Sequence, residues 1–555
     1  MVMVFSWLGK KNKNDFTESI LSPSEKLACE VRCHDGKVCY QVLQTSGHVS
    51  KTSCEVVTTW SHVGLKLYQD KNFTENLKLI KKVSRKLDDV TEARFYFVNQ
   101  INKKLVTLRF RVFDGGVAFR WEIPAQPKMQ RAVIAEETNE FNIKCGDFVV
   151  KEAALYNYGA MNAKNEVVKL SDGNIARVNL PFETPWRVIT KKNNDIVEKL
   201  NREPRRDFGW VKPIKAMGLW WAMVTGKWSW SKQGNYGTTL EHATEYMQFC
   251  KKNNIKGLMI DGFDTEIARQ ACLDKINLIC SIELTCDKSK METMLRALAV
   301  NNVHYVRFGY VPAKYMMDDE KEPWASQAGV KYLQDIIELA AKYHIMLEMP
   351  SIWKDTGTSK TWPNVLARKG KRTQDEKSLT PSEVCRLAYD GNADEYMLGV
   401  VDLNNKNKCI HSTLVAQLAY YVVFPSKMQF AIDQPEAYEK YPKAWGFIKD
   451  VPIEWGKMMQ IAEKRGEYYA VARKHSTSWY VGGINNEEAR NIRVNFDFLS
   501  AGKYRAKIYI DGDSADYQRN KLDMEVFDRI INKDTAMDIW MASGGGFAME
   551  ITKVS

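Results

Sequence analysis

Two acidic residues stand just past short apolar runs: Glu283 after INLIC (Ile276 to Cys280), and Asp261 within MIDGFD (Met259 to Asp264). An acid in that setting marks the point where a buried strand emerges at its C-terminal end. Carboxyl groups on different strands can share the work of cleaving a glycosidic bond. One, protonated, gives its proton to the leaving oxygen, while a second, ionised and roughly 6.5–9.5 Å away, activates water. Position alone favours for Glu283 a surface or salt-bridged acid at a loop start over such a catalytic group, and gives Asp261 the place for a hydrogen bond to a sugar hydroxyl. Trp221 and Trp362 offer flat rings beside polar residues, suited to stacking on a sugar face.

Acids at strand ends need a scaffold that gathers those ends. Residues 1–205 alternate apolar and polar positions in runs such as KLVTLRFRVFDGGVAFRWEI, broken by Asp-Gly turns, which predicts antiparallel strands packed as a β-super-sandwich. Residues 206–451 change to short apolar runs followed by amphipathic stretches, as in IKGLMIDGF, EIARQACLDK and INLICSIEL. This βαβα order predicts a central (β/α)8 barrel of TIM type, whose chemistry collects at the C-terminal ends of its strands. Residues 452–555 return to strand-like runs and predict a C-terminal antiparallel β-sandwich. The expected fold class is therefore multidomain α+β, consistent with 555 residues and 45% hydrophobic content, too much chain for one core.

The formal net charge of +12 is spread among 80 basic and 68 acidic residues without a block of like charge, so no nucleic-acid partner is expected. The 11 cysteines are scattered and imply no disulfide framework, and Cys29, Cys33, Cys39 and Cys54 lack paired zinc-ligand spacing. The apolar start MVMVFSWL precedes its lysines instead of following them, and neither a signal peptide nor a membrane segment is read there.

The segment DTGTSKTWPN (Asp355 to Asn364) followed by Lys369 and Asp375, and the stretch from His411 to Trp455 with HSTLVAQLAYYVVFPSKMQFAIDQPEAYEKYP and FIKDVPIEW, resemble glycoside hydrolase family 97. The blocks KEAALYNYGAM, TPWRVI, GLWWAM and YYAVARKHSTSWYVGGINNEEAR extend the resemblance over nearly the whole chain. Members of that family cleave α-linked glucosides and galactosides, so an oligosaccharide or α-glycoside is the implied partner and export to the periplasm or medium the implied location.

Position by position, the resemblance implies Glu283 as a base carboxylate and Asp375 as the general acid, one methylene shorter than the family's glutamate, with Glu376 beside it as an alternative. It implies Arg307 in place of a substrate-binding lysine. Gly309 follows the inverting members, where retaining members carry an aspartate nucleophile. Pro350-Ser351 replace a His-Glu pair, and Lys369 replaces a calcium-binding glutamate. Calcium is a cofactor of the family, but Glu152 alone keeps its carboxylate, and calcium takes six to eight oxygens. No cofactor is therefore expected, and the Lys369 ammonium is expected to take the cation's place on Glu152, holding the N-terminal sandwich against the barrel. Two readings stay open: a divergent α-glycosidase with several site residues replaced, and a non-catalytic relative that binds a glycan or a protein.

Overall fold

The computed structural model describes residues 15–45, 54–153, 168–169, 176–191, 196–200, 207–285, 287–310, 327–350, 358–368, 379–389 and 399–554. These fall into two compact units, one built on the chain before residue 207 together with residues 327–333 and 358–361, and the other on the rest.

The first unit is made of antiparallel sheets. Strands Phe16–Leu21, Leu27–His34, Lys37–Thr45 and Cys54–Val63 form one; a larger sheet runs from Phe148–Ala153 through Trp186–Lys191, Gly116–Ile123, Leu105–Phe113 and Thr91–Asn99 to Leu77–Lys86. The period-two pattern read from sequence works as expected. Val31, Tyr40 and Val42 of the small sheet share one core with Phe95, Phe97, Phe110 and Phe119 of the large one, and the rings of Tyr40 and Phe119 lie 5.0 Å apart. Cys29 and Cys33 occupy buried alternate positions there, and all ten described cysteines are free.

The second unit opens with a parallel barrel. Its strands are β1 (Ile214–Gly218), β2 (Gly257–Asp261), β3 (Asn277–Glu283), β4 (Tyr305–Tyr310), β5 (Met346–Met349), β6 (Val365–Arg368) and β7 (Met428–Ala431), in the order β6-β5-β4-β3-β2-β1-β7. Seven strands of the expected eight are thus seen among the described residues, and among these β6 and β7 stand at the two ends of the order. The helices that follow β1, β2 and β3 each begin on a side-chain cap that satisfies otherwise orphaned N–H groups: Thr239 for Leu240–Lys252, Asp264 for Thr265–Asp274 and Asp287 for Lys288–Val300. Buried Lys215 on β1 donates from Nζ to the carbonyls of Ile448 and Val451, both at 2.6 Å, closing the C-terminal end of helix Pro442–Asp450.

Helix Leu414–Val423 is apolar on every side and every residue of it is buried, as such a pattern requires. It packs on strands Ser478–Asn485 and Gly546–Lys553 of a six-stranded antiparallel sheet, beside which Arg490–Asn495 and Ala536–Met541 form a two-stranded one. Trp479, Val481, Ile508, Phe547 and Met549 of the first meet Ile492, Val494 and Ile539 of the second in one core.

Candidate active site

Strand register sets four polar residues side by side. Asp261 on β2 pairs with Ser281 on β3, Ser281 with Arg307 on β4, and Arg307 with Glu348 on β5. Residues paired in a parallel ladder point to the same face. That face is the barrel interior, because the Arg307 guanidinium reaches across to Phe430 on β7, 5.9 Å from its ring, and lies 5.2 Å from the ring of Trp220, which follows β1. One layer below stand Met259, Ile279, Tyr305 and Met346, two residues earlier on the same strands. The polar layer therefore forms the top of the packed core at the C-terminal mouth.

Arg307 is buried, 3% exposed, and its Nε lies 3.3 Å from Oε2 of Glu348, which is 9% exposed at its side chain. The residue expected to offer its charge to a sugar is thus held by a carboxylate of the next strand. The sequence leaves open whether Glu348, on the strand before Pro350, turns inward to replace a lost carboxylate; the structure turns it inward, against Arg307. Asp261 is half-buried, and burial pushes its carboxyl above the ordinary 3.8 while Arg307 pulls it back. Glu283 lies one step further out, exposed, at a break in register that sets it opposite Tyr310. Gly309 lies against Ser281: a side chain at 309 would overlap the Ser281 hydroxyl. The described part of the mouth therefore carries three carboxylates (Asp261, Glu283, Glu348) and one buried guanidinium.

The tryptophans divide differently from expectation. Trp221 is 1% exposed and fills the core of the second unit, so its ring is not a stacking platform. Trp220, its neighbour, folds back over Gly218, where any side chain would overlap its ring, and meets Phe430 edge-on at 5.6 Å. Its ring lies 5.2 Å from the Arg307 guanidinium. Trp362 precedes β6 and so stands at the N-terminal end of the barrel, edge-on to Phe208 at 5.9 Å, remote along its strand from the mouth.

Much of what made the sequence distinctive is scaffold. Asn364 is fully buried and donates to the carbonyls of Ile337 and Ile345, fixing the entry to β6. Thr413 caps helix Leu414–Val423 and donates to Asp511 at 2.7 Å. Asp433 accepts from the N–H groups of Val401, Asp402 and Gln434. Burial pushes both Asp511 and Asp433 up to about 6.

Lys369, Asp375 and Glu376 lie outside the described residues, and so does the expected pairing of Lys369 with Glu152. Glu152 itself meets Arg187. It stands opposite Arg187 in the strand pair Phe148–Ala153 and Trp186–Lys191, and Nη1 of Arg187 donates to it. Arg187 is fully buried and also binds Glu137, Nε to Oε2 and Nη2 to Oε1, each at 2.9 Å. This donor set does not fit calcium. An ion bound to Glu152 would sit about 5 Å from the guanidinium, a repulsion of roughly 7 kcal/mol at an effective dielectric of 20. Among the described residues, the grouping of ligand side chains close enough for an ion is Asp15, His34 and Asp35, at an exposed hairpin turn of the first unit.

Sequence models of the glycosyl hydrolase 97 N-terminal domain, of glycoside hydrolase 97, and of the glycosyl hydrolase 97 C-terminal oligomerisation domain match residues 20–149, 272–371 and 454–552. A retaining α-galactosidase of Bacteroides thetaiotaomicron is 27% identical over 440 residues, covering 71% of this chain and 63% of that protein. A probable retaining α-galactosidase of Streptomyces bingchenggensis is 21% identical over 228 residues, 40% of this chain and 34% of that one. The chain thus spans less than two thirds of the length of these curated relatives. In three dimensions it is similar to a glycoside hydrolase family 97 enzyme from Pseudoalteromonas sp. strain K8 in complex with acarbose, with a TM-score of 0.82 at 24% identity over 97% of this chain and all of that one. A β-arabinopyranosidase gives a TM-score of 0.72 at 16% identity over 96% of this chain and all of that one. Both curated relatives are described as retaining, which counts against the inverting outcome expected from Gly309.

Proposed function

Because this chain belongs to glycoside hydrolase family 97, we propose that it binds α-linked glycosides at the C-terminal mouth of its barrel and cleaves them slowly. The observation that carries this reading is the registered polar layer Asp261-Ser281-Arg307-Glu348, topped by the exposed Glu283. In a barrel of this kind the strand C-termini carry the chemistry, and a carboxyl pair serves either stereochemical outcome. We assign Glu283 as the carboxylate on the sugar's anomeric side, Asp375 or its neighbour Glu376 as the proton donor, and Asp261 as a ligand of a sugar hydroxyl.

Two features support slow turnover. Arg307 is committed to Glu348 and lies against the Trp220 ring, so it gives the substrate no free charge. An aspartate is one methylene shorter than the glutamate it replaces, a difference in reach of about 1 Å, and a misplacement of that size costs on the order of 10²-fold in rate. The same commitment of Arg307 favours the second reading, a glycan-binding relative without turnover. Long incubation of concentrated protein with activated aryl α-glucosides and α-galactosides, with and without calcium, separates them. Our reading expects slow, calcium-indifferent hydrolysis that E283Q removes. Intact sugar binding with no hydrolysis would leave the second reading standing, and calcium-dependent turnover would contradict the site assignment.

A further inference from the structure

Among the described residues, Arg187, Glu137 and Glu152 form a charge group inside the first unit. Arg187 is fully buried, Glu137 is 1% exposed, and Glu152 retains 17% exposure at its side chain. The guanidinium grips both oxygens of Glu137 through Nε and Nη2, which fixes its plane, and presents its remaining arm, Nη1, to Glu152 directly across the strand pair. Asn139 adds a further donor to Glu137 from Nδ2. Such a two-pronged grip leaves the cation little freedom to leave. The resemblance assigns a calcium-binding carboxylate to the position of Glu152, and that carboxylate faces a fixed cation supplied by its own sheet.

We propose that Arg187 is the built-in counter-cation of Glu152 and Glu137, so that the N-terminal unit is held together without calcium. This goes beyond the proposed function, since it concerns what stabilises the unit and not what the barrel does to sugar; its test reads unfolding and metal binding, not turnover. Among the described residues two carboxylates face one guanidinium, and the half-open side of Glu152 and the Asn139 amide carry the remaining negative charge without a divalent ion. Removing the guanidinium creates two facing carboxylates, the start of a calcium site that the natural chain lacks.

The test is thermal unfolding and calorimetric titration of the full chain in EDTA and in millimolar calcium chloride, for the natural protein, E152Q, R187S and R187S/E152Q. The natural protein and E152Q are expected to unfold at the same temperature with and without calcium, with no heat of binding at this site. R187S is expected to unfold at a lower temperature in EDTA and to regain several degrees in calcium, a gain that R187S/E152Q does not show. A calcium-induced rise in the natural protein that E152Q abolishes would overturn the proposal, as would an R187S protein as stable and as indifferent to calcium as its parent. Should R187S fail to fold, the comparison of the natural protein with E152Q decides alone.

Discussion

Replacing Glu348 by leucine removes the partner of a guanidinium that is 3% exposed. At 3.3 Å and an effective dielectric of 20 the attraction between the two charges is about 5 kcal/mol, offset by the several kcal/mol each ion loses on leaving water. The pair as a whole therefore contributes little, but a lone charge left in its place is expensive, typically about 3–5 kcal/mol. Asp261 lies in the same layer and already feels Arg307, so it takes up part of the stranded charge and E348L should fall near the lower end, ~3 kcal/mol. The double variant R307M/E348L fills the same space with apolar side chains and should return to within about 1 kcal/mol of the parent or exceed it. Urea unfolding followed by tryptophan fluorescence is the assay, since the Trp220 ring lies over the guanidinium. If Arg307 is structural, the double variant also keeps its affinity for α-glycans. An E348L protein as stable as its parent, or a double variant as damaged as the single one, would refute the reasoning.

G218A pushes the Trp220 ring off β1 and should cost about 1–3 kcal/mol with a red-shifted tryptophan emission; an unchanged spectrum would remove Trp220 from its place over Arg307. D511N offers its carbonyl to the N–H groups of Ala542 and Gly546 and its amide to Thr413, keeping the contacts that Asp511 makes. Because Asp511 titrates near 6 when folded and near 3.8 otherwise, the folded state binds more protons between those values and the group's contribution falls as pH rises through that window. D511N should therefore gain on the order of 2 kcal/mol at pH 7.5 and nothing at pH 3.5, read from unfolding midpoints at both; a gain of equal size at both would show that charge burial is not the cause. D375N/E376Q should abolish slow hydrolysis of aryl α-glycosides while leaving sugar affinity intact, and surviving turnover would place the proton donor elsewhere.

Periodicity made the architecture legible. Two-residue alternation announced the sandwiches, and the βαβα order announced the barrel, because both patterns are imposed directly by which face is buried. The site was less legible, for reasons visible in single residues. Glu348 sits inside an apolar run that leaves its direction open; its inward turn follows from its register with Arg307, a long-range fact. Arg187 was present in the block TPWRVI, but nothing local shows that it lies opposite Glu152, 35 residues away. Trp221 and Trp362 have the ring chemistry for stacking on a sugar, and the fold places one in the core and the other at the N-terminal end of a strand. The segments that identified the family, around Asn364, Thr413 and Asp433, hold helices and strands in position. Resemblance carried by such residues reports the scaffold first and the chemistry second.

The central claim is that the barrel mouth recognises α-linked sugar through Asp261 and Glu283. Isothermal titration of the natural protein and of D261N/E283Q with panose and with melibiose tests it most directly. The account predicts saturable binding of at least one of them by the natural protein and a loss of at least about tenfold, ~1.4 kcal/mol, in the double variant with an unchanged unfolding profile. Binding that the double substitution leaves untouched, or a natural protein that takes up neither sugar, would contradict it.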